Sequence, residues 1–299
     1  MKERITAYGG QAVIEGVLMR GKTSVAMANR TPNNEIVVHH EMLTGVYNSK
    51  LIKVPFLRGL IGLWDALGLG MRYLTLSANV QTGEEEKIEG PMLYLTLAIS
   101  LTLGIGLFFL VPALVSGLFS RLIIMNAWVS NLLEGIIRLT LLIVYLWSIG
   151  KMPDINRVFM YHGAEHKTIN AFEDGAELVA EKVAAYSLQH PRCGTSFILT
   201  LVLLSILLFS LLGPLPMHWR LLSRLLMIPI LAGLAYEYIH LMSKHLDNPI
   251  VRMLIKPNLA LQNMTTREPS IDMLEVSIQA FNLMRSLENE HEQNHLIHP

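Results

Sequence analysis

Between Pro91 and Ser120 there is not one charged residue, and Phe197 to Met217 is free of charge in the same way. Such stretches constrain the fold more than any other feature of the chain. A helix of about 20 apolar residues crosses the hydrocarbon of a bilayer, where each backbone polar group needs a partner within its own segment. Two further apolar stretches carry isolated charges: Met125 to Ile149 with Glu134 and Arg138, and Leu221 to Met242 with Arg224, Glu237 and His240. Glu134 and Arg138 stand four apart, so they can pair on one helix face, and that face is expected to meet protein rather than lipid. The expected fold is an α-helical integral membrane protein with about four transmembrane helices.

Composition supports this. Only 16% of the residues are charged, against about a quarter in soluble domains. The 24 basic and 24 acidic residues cancel, so no basic excess points to nucleic acid. The lone cysteine, Cys193, excludes an internal disulfide framework. The start, MKERITAYGG, has no apolar core behind its charges and does not read as a signal peptide.

Lys and Arg residues concentrate in three places: ten before Pro91, five from Lys151 to Arg192 and five after Met242. Basic residues mark the cytoplasmic side. Both termini and the 150–196 loop are therefore expected in the cytoplasm of a multi-pass plasma-membrane protein. The short tips around Arg121 and GPLPMHWR then face outward.

The expected parts follow in order. Residues 1–53 form a β-rich cytoplasmic domain, with hairpin signals at RGKT and TPNN. Residues 54–90 hold an amphipathic helix and an acidic linker. Arg58, Asp65 and Arg72 recur every seven residues, giving one charged stripe on a helix that lies at the interface or packs on the protein's own domain. Residues 91–149 give transmembrane helices one and two, 150–196 a cytoplasmic helical loop, and 197–242 helices three and four. Residues 243–299 are cytoplasmic: a Pro- and Asn-punctuated segment from Asp247 to Glu268, an amphipathic helix from Ser270 to Asn289, and a disordered tail.

The sharpest chemical signal is His162-Gly-Ala-Glu165-His166. Histidines at i and i+4 share one face of a helix, so both imidazoles can reach one metal ion, and the adjacent Glu165 can act as general base. This is the H-x-x-E-H arrangement of inverted zincins. The cofactor it suggests is a divalent metal, zinc first and iron second. Four residues compete for the remaining ligand positions: Glu173, one seven-residue step beyond His166; Glu237; and His190 and Cys193, in HPRCGTS. Glu237 and His240 form Glu-x-x-His at the end of the fourth stretch, which is also a half-site of di-iron bundles. Arg192 and the start of the third helix favour a thiolate at Cys193, so it is a ligand, a nucleophile, or a small buried residue in a turn whose Thr195 or Ser196 caps the helix. His39 and His40 alternate on a strand and cannot aim at one ion. A desaturase would need several His boxes and finds only one here.

Four motifs in order, YGGQAVIEGVLMRG (Tyr8–Gly21), YHGAEHK, HPRCGTSF and YEYIH, resemble the YqhQ-like family of bacterial membrane proteins. The resemblance covers nearly the whole chain. It implies a membrane architecture and a predicted metal-dependent enzyme, and says little of substrate. The first motif is not explained by metal chemistry: its glycines suit either ligand binding or a tight β-turn core.

Three functions stay open at this point. One is a metal-dependent membrane enzyme of hydrolase type at the cytoplasmic face. Another is a scaffold or assembly factor whose His/Glu cluster is a structural hydrogen-bond network. The third is a small-solute transporter lined by Glu134, Arg138 and Glu237. Expected partners are membrane lipid and a second copy or another membrane protein.

Overall fold

The computed structural model describes residues 8–43, 54–82, 90–123, 125–213 and 215–297 of the 299-residue chain. The expectations for the first seven residues and for the acidic linker at 83–89 fall outside the described residues.

The N-terminal part is a four-stranded antiparallel meander. Its strands are β1 (Gly9–Val13), β2 (Gly16–Arg20), β3 (Ser24–Arg30) and β4 (Ile36–Met42). The hairpin turns fall at RGKT and TPNN as the sequence suggests, and a third, tighter turn is made by Ile14 and Glu15 between β1 and β2. Glu15 takes φ 52 there, in the left-handed region that few non-glycine residues adopt. Both faces of the sheet are covered. Val17, Met19, Ala26 and Ala28 face helices α5 (Pro153–Glu173) and α11 (Ile271–Ile297). Leu18, Val25 and Met27 face Tyr73 and Leu69 of helix α1 (Leu57–Thr82). Burial on both sides explains why β2 and β3 read as apolar runs rather than alternating strands.

Helix α1 joins the sheet to the apolar helices. Its late residues pack on the sheet, while Gly59 and Gly62 sit against Tyr236. The three charges of its stripe each find a partner on another element: Arg58 with Glu237 at 2.5 Å, Asp65 with Arg20 at 2.6 Å, and Arg72 with Glu41 at 2.9 Å. Trp64, away from the stripe, is 81% exposed.

Among the described residues, three helices are long and apolar enough to cross a membrane: Tyr94–Leu122, Ala127–Ile149 and Gly194–Leu211. The first is α2 (Pro91–Ile105) continued through a π-helical turn at Gly106–Leu110 into α3 (Val111–Leu122). Pro112 offers no N–H to the carbonyl four residues back. That carbonyl, Phe108 O, accepts instead from Arg138 Nε at 2.7 Å. The next two helices are α4 (Ala127–Ile149) and α7 (Gly194–Leu211). The fourth apolar stretch differs from the single helix expected: α8 (Met217–Leu226) and α9 (Ile228–Lys244) meet at a 44° bend. Pro229, in the first turn of α9, cannot continue the hydrogen-bond ladder of α8.

The C-terminal part is more regular than its punctuation and polarity suggest. The punctuated segment is a helix, α10 (Pro249–Thr265), with Pro257 inside it. Packing against α4 and α7 holds it, through Leu261 and a bond from Asn258 Nδ2 to Thr200 at 3.1 Å. The polar tail, expected to be disordered, continues α11 as far as Ile297.

Candidate metal centre

Helix α5 carries HGAEH. Pro153 at its start and Asp154 in its first turn suit a helix N-terminus. Gly175, at φ 78, ends it with a left-handed turn in which Ala176 N–H reaches Ala171 O at 2.9 Å. The His162 and His166 rings lie side by side, centroids 4.4 Å apart.

Each imidazole is oriented by a backbone carbonyl. His162 Nδ1 meets Thr265 O at 2.8 Å, at the end of α10, and His166 Nδ1 meets Leu188 O at 2.5 Å. A carbonyl can only accept, so each Nδ1 carries the proton and each Nε2 presents a lone pair. Leu188 is held in the loop after short helix α6 (Ala180–Val183), where Lys167 donates to Ala184 O at 2.6 Å and Asn170 to Ser187 O at 2.9 Å.

Cys193 meets the two histidines. It caps α7 with its own sulfur, which accepts Thr195 N–H at 3.3 Å, so the cap is neither Thr195 nor Ser196. The sulfur lies 3.2 Å from His162 Nε2. Ligand atoms of His162, His166 and Cys193 all fall within 4.8 Å of one another. Around a tetrahedral zinc, a sulfur and a nitrogen ligand would stand about 3.5 Å apart.

The other sequence candidates stand outside this group. Glu173 ends α5 and is taken by Arg192, with His190 Nε2 at 3.7 Å. His190 is buried behind His166, ring centroids 5.7 Å apart, its backbone fixed at both ends by Gln262. Burial holds its pKa below the ordinary value, against the opposing pull of Glu173. Glu237 accepts Phe56 N–H at 2.9 Å and Arg58 Nε at 2.7 Å, which commits it to anchoring α1. His240, one turn on, stacks near Tyr236. Glu-x-x-His and HGAEH therefore do not assemble as one di-metal site.

These residues lie in a recognisable sequence context. Residues 54–286 match the family described as "Protein of unknown function (DUF1385)". The chain belongs to that family. It is 35% identical over 305 residues to the "Uncharacterized protein YqhQ" of Bacillus subtilis (strain 168), a match covering 96% of this chain and 95% of that protein. No solved structure matches. The resemblance to the YqhQ-like family thus holds, while neither description names an activity.

Glu165 shows what the glycine-rich first motif does. The carboxyl is buried and packs under Gly10 of β1. A Cβ at Gly10 would lie 2.6 Å from Leu18 O and 2.9 Å from Glu165 Cδ. Glu15, at the tip of the same hairpin, accepts from Arg157 Nη2 at 2.5 Å and from Tyr161 at 3.3 Å. The hairpin is thereby clamped along α5 with Gly10 over the acid. Gly10→Ala is expected to cost about 1–3 kcal/mol by overpacking and to displace Glu165, read as a lower unfolding midpoint in detergent. A midpoint equal to wild type would show that the hairpin does not press on the acid.

Burial raises the Glu165 pKa to about 7, although the nearby His162 and the Gly10 N–H pull the other way. Among the described residues, its Oε2 and His166 Nε2 have no hydrogen-bond partner.

Beside the sulfur opens a cleft of about 500 Å³. Gly10, Arg192 and Cys193 line its polar end, and Leu63, Phe197 and Ile239 its apolar walls. It lies where β1, α1, α7 and α9 come together. Sequence reasoning missed Gly10, Thr265 and Leu188 as parts of the site. Two of them act through a backbone carbonyl, which no side-chain motif records.

Proposed function

We propose that this protein is a membrane-embedded metal-dependent enzyme of hydrolase type. Its helices would span the plasma membrane, with both termini and the site on the cytoplasmic side, as the placement of basic residues argues. One observation carries the enzymatic reading: two histidines locked by carbonyls into the tautomer that frees Nε2, converging with a cysteine sulfur. Outer hydrogen bonds of this kind accompany metal-ligating histidines.

His162, His166 and Cys193 would hold the metal. One thiolate and two imidazoles suit zinc better than a hard cation, and three protein ligands leave the open position that distinguishes a catalytic site from a structural one. Bound there, a divalent metal would supply Lewis acidity and an acidified water. Glu165 would accept the proton, a role its burial and unpartnered Oε2 support. The cleft at Cys193 would admit an amphiphile, with its polar end toward Arg192 and its tail along Leu63, Phe197 and Ile239. A purely structural network, as a scaffold would use, would be expected to satisfy Glu165 Oε2 and His166 Nε2.

Metal analysis tests this. The purified protein is expected to carry stoichiometric metal, and His162→Ala/His166→Ala to lose it. Cobalt loading is expected to give a thiolate charge-transfer band that Cys193→Ser abolishes. A metal-free wild type that takes up no added zinc, or a double variant that retains its metal, refutes the reading.

A further inference from the structure

At the far end of α4 and α7 from the metal centre lies a second polar site, which the enzymatic reading does not use. Glu134 is fully buried and accepts from three arginines: Arg138 at 2.8 Å, Arg220 at 2.7 Å and Arg224 at 2.8 Å. Arg138 and Arg224 are essentially without solvent contact, and Arg220 is 8% exposed. Three guanidiniums therefore surround one carboxylate inside an apolar bundle.

Neutral groups complete much of the hydrogen bonding. Ser205 and Phe108 O take Arg138; Ser116 and Ser130 take Arg220; Asn131 and Ser223 take Arg224. Dipoles of this kind orient the guanidiniums and leave their charge uncancelled. Charges inside a bilayer are costly and are as a rule matched by opposite charge. Among the described residues, Glu134 is the single carboxylate bonded to the cluster.

Two arginines also keep donor capacity. Among the described residues, Nη1 of Arg220 makes one hydrogen bond, to Ser130, and Nη1 of Arg224 makes one, to Ser223. Each Nη1 bears two hydrogens. Both residues line a cavity of about 180 Å³, together with Ser120, Ser130, Asn131 and Leu215. At about 30 Å³ per water, this is room for a tetrahedral oxyanion with part of its hydration shell. The cavity sits between the start of α4 and Gly213 and Leu215, which lie between α7 and α8.

We propose that this pocket binds a phosphate-type oxyanion, held by Arg220 and Arg224 and oriented by Ser130 and Asn131. Guanidinium forks match the paired oxygens of phosphate. The same chemistry is offered by free inorganic phosphate and by the headgroup of an anionic lipid.

Full-length protein in a neutral detergent, followed by native mass spectrometry, distinguishes the sources. The probes are inorganic phosphate, phosphatidylglycerol and, as a zwitterionic control, phosphatidylcholine. Binding of phosphate and phosphatidylglycerol together supports a site for the free ion. Binding of phosphatidylglycerol alone, over phosphatidylcholine, supports a headgroup site. Arg220→Gln is expected to weaken binding about 10–100-fold, the effect of losing a charged hydrogen bond. Leu215→Glu sets a carboxylate at the exposed rim and is expected to do the same without disturbing the core. It decides the matter if Arg220→Gln does not fold. No binding of either anionic probe, or equal binding in the folded variants, overturns the proposal. Because metal content is measured separately, failure here leaves the enzymatic reading standing.

Discussion

Glutamine at position 165 is expected to make the metal-free protein more stable at pH 8 and its activity far lower. The stability half follows from proton linkage. The folded carboxyl has its pKa raised from 4.5 to about 7, with burial as the leading cause. Below pH 4.5 both folded and unfolded chains hold the proton, and Glu165 costs nothing. Between pH 4.5 and about 7 the unfolded chain gives up its proton while the folded one keeps it, so stability falls as pH rises. Above pH 7 the full penalty of about 3 kcal/mol is in place. Glutamine cannot ionise, so the variant should match wild type near pH 4 and exceed it by about that amount at pH 8. The measurement is denaturant unfolding of chelator-treated protein at the two pH values. The activity half is opposite in sign. Loss of a general base costs about 10²–10⁴-fold in rate, read by complementation of a strain lacking the protein. A variant that complements fully would favour the scaffold reading, and one unchanged in stability at both pH values would show that the buried acid is stabilised by other partners.

The largest loss of stability is expected from Glu134→Gln. Its side chain keeps the shape of glutamate and one acceptor oxygen, but the three arginines then share no negative charge. Removing one partner of a buried ion cluster costs about 3–5 kcal/mol, because the remaining charges stay desolvated. Arg224→Met made together with Glu134→Gln removes one of the stranded cations, so the double variant is expected to lose less than the two single changes summed. Thermal unfolding in detergent of the four proteins gives the cycle. Simple additivity would mean that the charges are not coupled.

Much of the bundle was legible from sequence because a long apolar stretch has one local solution, a helix that satisfies its own backbone. Glu134 and Arg138 announced their pairing by spacing. Arg220 and Arg224 did not, since their partner lies on another helix about ninety residues away. In the candidate site, His162, Glu165 and His166 were legible because the helical period alone puts them together. Cys193 was one of several contenders, and only the placement of the α7 N-cap beside His162 separates it from Glu173 and His190. Glu237 misled for a physical reason: an acid at the end of an apolar helix attracts either a metal or an arginine, and Arg58 on α1 supplies the latter. The helix through Pro257 was missed because proline argues against helix locally, while contacts with α4 and α7 override it.

The sheet is built from the first strands of the chain, and the helix across it from the last residues. Ser24 donates to Met284 O at 2.8 Å, across 260 positions of sequence, and Glu288 accepts from Thr23 N–H at 2.9 Å. Helix α5, with HGAEH, lies beneath this closure. During synthesis the strands within residues 9–42 must wait, with one face only partly covered, until α11 has been made. The face of the sheet that covers helix α5 is consequently completed late, and a chain lacking residues 271–297 would leave Val17, Met19, Ala26 and Ala28 without the cover of α11.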